Sequence, residues 1–201
     1  RRPGRSSHGR AAPGLDREQG ARERSPLDRT AALLDASIAR LDLGDANAAV
    51  ALLIEAIDPP KAAASQYDQM TAAVRAAIGG GDVALADRIR DKLDARLPEQ
   101  RLPLLHHVLT TVGALLTEAH GGSETAAAGF ADAAARWHAF EIPYEEAQAL
   151  LGRGRCLVAL GRAPEAAPVL KQAREIFTRL GAKPALAETE ALLEQTGAVA
   201  K

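Results

Sequence analysis

The sequence predicts an all-α fold: antiparallel helix pairs stacked in a row, about nine helices in all. Three observations lead there. Apolar residues recur at spacings of three and four, as at Leu33, Leu34, Ile38 and Leu41, which is the period of one helix face. β-Branched and aromatic residues are sparse and do not alternate with polar ones, so no strand candidate survives. Short breaks rich in glycine and proline cut the periodic stretches at regular intervals: LGDA, DPPK, GGGD, LPEQRLP, HGGSE, EIPY, LGRAPE and LGAKP.

Taken in order, residues 1–24 come first. They carry seven arginines against Asp16, Glu18 and Glu23, and Leu15 is their one large apolar side chain. Such a segment cannot bury enough surface to offset its ordering entropy, so a disordered basic tail or linker is expected. No aromatic residue is interleaved to stack on bases. Order is expected from Ser25, where Ser25, Pro26 and Asp28 offer an N-cap, a first-turn proline and a capping acid. Helices then follow over about 26–42, 45–57, 61–78, 82–96, 101–119, 124–139, 143–160, 164–180 and 184–196. One local conflict stands out. Pro164 and Pro168 are four apart, so a helix from 164 loses the amide of residue 168. It should start a residue or two later or bend there.

The breaks repeat. Gly44, Gly81, Gly121 and Gly161 are separated by 37, 40 and 40 residues. Five residues beyond each stands alanine: Ala49, Ala86, Ala126 and Ala166. Twelve beyond stand Ala56, Leu93, Ala133 and Ala173, and seven before stand Ser37, Val74, Ala114 and Gly154. Small residues suit these places because a larger side chain would hold two crossing helices apart. The glycine ends the first helix of each pair, where the chain needs positive φ. Four repeats over residues 25–182 are expected, with a capping helix and tail over 183–201.

The last unit, with Gly154, Gly161, Ala166, Leu170 and Ala173, resembles the tetratricopeptide repeat in its small–Gly–Ala–large–Ala spacing. The third unit puts Phe130 at the large position. The family's first-helix Trp and Tyr are absent; Leu150 and Leu157 stand there, and the spacing near 40 exceeds the usual 34. The stretch YEEAQALLGRGRCLVALGRAPEAAPVLKQAREIFTRLGAKPALAE is similar to the C-terminal repeats of bacterial MalT/LuxR-type regulators and cyclase-linked signalling ATPases.

The resemblance implies a TPR-like α-solenoid that is not an enzyme: a scaffold for a protein or peptide partner, or for another domain of a parent chain. Its first helices would line a groove at Asp68, Thr71, Arg75, Thr111, Glu118 and Arg155. These lack the Lys, Arg and Asn cluster with which relatives clamp a terminal carboxylate. The alternative is an ATP-dependent regulator or adenylate-cyclase-linked ATPase whose catalytic domains lie upstream. The chain begins at Arg1 and its only methionine is Met70, so a fragment of a longer protein is expected. A third reading, a DNA-binding regulator using the basic tail, finds no helix-turn-helix after the repeats.

Catalytic, cofactor and metal chemistry find little purchase. The stretch LLGRGRCLVALGRAPEA lacks the Lys-Ser or Lys-Thr that closes a phosphate loop. Within it Gly154 is expected at a close helix contact, Cys156 as a small apolar side chain, and Arg153 and Arg155 about 200° apart on a helix. Gly152 adds a second helix-weakening glycine that no sequence feature explains. His106 and His107 diverge by about 100° and cannot easily share a metal. Glu145 and Glu146 read as first-turn acids behind Pro143 rather than a catalytic pair. Trp137, Phe140 and Tyr144, near Phe130, read as core between units before a partner patch. The net charge of −1 indicates no attraction to nucleic acid or membrane. The longest apolar run, AAVALLI, is far short of the roughly 20 residues of a membrane span. One cysteine permits no internal disulfide, and a reducing, cytoplasmic setting is expected.

Overall fold

The computed structural model describes residues 67–95 and 103–197, together with Ala36, Arg40, Ala48 and Leu52, each of which is helical. The expected tail over 1–24 and the repeat positions Gly44, Ala49 and Ala56 lie outside the described residues. The chain divides into two compact units, residues 1–66 and 67–201. In the second, seven helices follow one another: α1 (Tyr67–Gly79), α2 (Val83–Asp94), α3 (Pro103–Ala119), α4 (Ser123–Ala139), α5 (Pro143–Ala159), α6 (Ala163–Leu180) and α7 (Lys183–Gln195). The fold is all-α, with no strand among the described residues. No helix there is long and apolar enough to cross a membrane.

The helices keep a stricter beat than the pairs do. From α2 onward they start at residues 83, 103, 123, 143, 163 and 183, so each 40-residue pair is two equal halves. The turns share one chemistry. Gly81, Gly121, Gly161 and Gly181 have φ of +83°, +86°, +71° and +67°. After each, the next amide reaches five residues back into the helix: Asp82 to Ala77 at 2.9 Å, Gly122 to Thr117 at 2.8 Å, Arg162 to Leu157 at 2.9 Å and Ala182 to Phe177 at 3.0 Å. This satisfies carbonyls that a helix end would otherwise leave unpaired. The turn after α4 makes the same bond, Ile142 to Trp137 at 3.1 Å, but with Glu141 at φ +59° in the glycine's place. GGGD is thus an ordered turn, and Asp82 Oδ1 caps α2 by accepting from the Leu85 amide at 3.0 Å.

Packing follows a rule. Each helix packs on its successor, and α1 also packs on α3, α3 on α5, and α5 on α7. The even helices make no comparably broad contact with one another. Small residues permit the close crossings. Ala86, Ala126, Ala133, Ala166 and Ala173 are fully buried. A methyl group added to Gly154 would collide with the Leu170 side chain of α6, and one added to Gly152 would come within 2.6 Å of the Phe130 ring of α4. The two glycines therefore serve α5's two sides. Leu93 and Val74, which depart from the small-residue pattern, are buried as ordinary core.

The later start expected for the helix with the two prolines is corrected. α6 begins at Ala163, one residue earlier than expected, and runs on through Pro168. Pro164 and Pro168 are both exposed, so water can take the carbonyl that Pro168 leaves without an amide.

Candidate functional site

Along one side of the second unit, α1, α3, α5 and α7 line an open groove of about 410 Å³, with Arg75, Leu115, Glu118, Gln148, Arg155 and Glu188 on its walls. Three of the residues expected at a groove, Arg75, Glu118 and Arg155, are brought together there. Two are not open to a partner: Thr71 and Thr111 are buried, at 0% and 1% exposure. Asp68 falls on α1, but its side chain lies outside the described residues.

The arginines are already engaged. Arg75 Nη1 and Nη2 donate to Glu145 Oε2 and Oε1 at 3.1 and 2.6 Å, and Nη2 also donates to Thr71 Oγ1 at 3.2 Å. Glu145 is buried in the first turn of α5, where the helix dipole also favours its charge. Arg75 thus joins α1 to α5 across α3. Arg155 Nε and Nη2 donate to Glu118 Oε1 and Oε2 at 2.6 and 2.8 Å, while Nη1 reaches Glu188 Oε1 on α7 at 2.8 Å. The hydrogen bonds that Arg155 donates to Glu118 outweigh desolvation and hold its guanidinium more firmly charged. Fork-to-fork pairing of this kind fixes geometry as well as charge. Glu145 and Glu188 were not legible as partners, since residues 70 and 33 positions apart meet only through the helix stack.

The other candidates resolve as structure. Glu146 is buried and its Oε1 lies 3.1 Å from His138 Nδ1. Cys156 is buried, and burial, followed by the Glu118 charge, pushes its thiol up to about 12, so it stays protonated and inert at neutral pH. Phe130 and Trp137 are buried, whereas Phe140 and Tyr144 are 42% and 43% exposed. Trp137 Nε1 donates to Thr111 Oγ1 at 2.7 Å, and that hydroxyl donates to the His107 carbonyl at 3.0 Å. A second cavity, of about 520 Å³, is lined by Asp87, Arg90, Asp94 and His120. Its charges pair internally: His120 with Asp87 at 3.3 Å and Arg90 with Asp94 at 3.1 Å. Among the described residues no group of three or more His, Cys, Asp or Glu side chains could hold a metal ion.

Comparison with protein-family models, curated proteins and solved structures yields no match.

Proposed function

We propose that this chain is a non-catalytic helical-repeat scaffold of the tetratricopeptide type, and that the groove of its odd-numbered helices takes a protein or peptide segment. The observation that carries the reading is the packing rule. Contacts of α1 with α3, α3 with α5 and α5 with α7 suit a solenoid whose first helices line the inner side and whose second helices face outward. The reading expects about nine helices in the whole chain. A groove of about 410 Å³ lined by Ile78 and Leu115 as well as by paired charges suits an extended or helical segment that offers both apolar and polar contacts. The single buried thiol suits a reducing, cytoplasmic setting.

The inward arginines are poor probes, because reversing Arg75 or Arg155 would set like charges against Glu145 or Glu118. Ala119 lies at the groove's rim and fills it when enlarged. Peptides selected by display against the full chain should bind it with a measurable Kd, and Ala119→Trp should weaken them at least tenfold. Selection that yields no binder, or binders indifferent to Ala119→Trp, would overturn the groove.

A further inference from the structure

At the corner where α3, α4 and α5 meet, a buried imidazole nitrogen has nothing to bond. His107 Nδ1 is without a hydrogen-bond partner. Its ring lies edge-on to Trp137, with centroids 5.6 Å apart, and to Phe140, at 5.0 Å. A neutral imidazole can leave one nitrogen as a bare acceptor, but an imidazolium carries an N–H on both nitrogens. His107 as a whole is half-buried, but beside these two rings its Nδ1 is boxed in, so a second N–H there would go unsatisfied. Burial opposes the charged form first, then Arg136 of α4 and His106 of α3, while Asp132 of α4 favours it; the sum holds the pKa below the ordinary 6.5. The carboxylates of α5 are committed elsewhere, Glu145 to Arg75 of α1 and Glu146 to His138. On α2, Asp87 pairs with His120 and Arg90 with Asp94.

One wall of the box is open to water. Phe140 is 42% exposed and precedes Glu141, the one non-glycine residue at positive φ among the described residues. We propose that this corner is an acid-operated latch: when His107 takes up a proton, its ring leaves the box for water and Phe140 and the Glu141 turn move off α3. Because the His107 ring lies edge-on to Trp137, the chain's single tryptophan reports the movement. The sign follows from a folded-state pKa below the unfolded one. The stability His107 contributes is complete above pH 6.5 and is lost as pH falls toward the folded-state value.

The test is tryptophan fluorescence of the full chain between about pH 7.5 and about pH 5, the range in which histidines titrate. A one-proton transition with its midpoint below 6.5 is expected. His106→Gln should keep it and His107→Phe should abolish it. Phe140→Ala, which opens the box to water without disturbing the buried core, should move the midpoint upward. A transition that survives His107→Phe, or a flat wild-type titration, would overturn the latch. So would a midpoint unmoved by Phe140→Ala, a result that stands even if His107→Phe fails to fold.

Discussion

Helices α5 and α6 are neighbours of 17 and 18 residues, and they bury themselves in opposite ways. α6 hides one stripe, Ala166, Val169, Leu170, Ala173, Ile176 and Phe177, at the spacing of a single amphipathic face. Its other side is solvated by Lys171, Gln172, Glu175 and Arg179. α5 is packed by α3, α4, α6 and α7. It buries Glu145, Glu146, Gly152, Gly154 and Cys156 along with Leu150, Leu151, Leu157, Ala147 and Ala149. A helix with neighbours on several sides needs glycines where they press closest and paired carboxylates where polar groups have no route to water. The even helices carry their ion pairs on exposed side chains, as Arg162 with Glu124 does, whereas the odd ones bury the carboxylate of theirs, as Arg75 with Glu145 does.

The largest expected effect breaks the charged side. Arg75→Met leaves Glu145, whose side chain is 5% exposed, without its partner, and should cost about 3–5 kcal/mol in chemical denaturation. Next comes the close fit. Gly152→Ala and Gly154→Ala should each destabilise by about 1–3 kcal/mol, although alanine is the better helix former, because Phe130 and Leu170 are fully buried and cannot yield. A gain in Tm for either would dissolve the contrast between α5 and α6. Arg155→Met should cost only about 1 kcal/mol, since its side chain is 36% exposed and water screens the pair. That loss should shrink at high salt. Arg162, which joins Glu124 and Glu165 on the even side, has partners 73% and 54% exposed against 19% for Glu118, so it should move Tm less than Arg155 when changed to Met. The smallest effect is a gain. Glu141→Gly should add about 1 kcal/mol by relieving a left-handed backbone that disfavours side chains.

The same contrast explains what the sequence made legible. The stripe of α6, the turn glycines and the alanines five residues beyond them are local signals, and α2 to α7 start within two residues of the positions they imply. The charges were legible only in part. Arg75, Glu118 and Arg155 could be placed on one side because the resemblance to the tetratricopeptide repeat assigns one periodic face of its first helices to a groove. Their pairing with Glu145 and Glu188 could not, because it depends on which helices stack two apart. Thr71 and Thr111 share that periodicity yet sit too deep, where Thr111 serves Trp137. Gly152 stayed unexplained until the Phe130 ring of the preceding helix was seen to lie on it.

The most direct test of the stack is a double-mutant cycle across α5 and α6, with Gly154→Ala measured by denaturation in two backgrounds. With Leu170 in place the added methyl should destabilise. With Leu170→Ala, which vacates the space it would enter, the same methyl should stabilise by up to about 1 kcal/mol, the helix preference of alanine over glycine. The same sign in both backgrounds would mean that Gly154 and Leu170 do not meet, and the packing that carries the scaffold reading would fall with them.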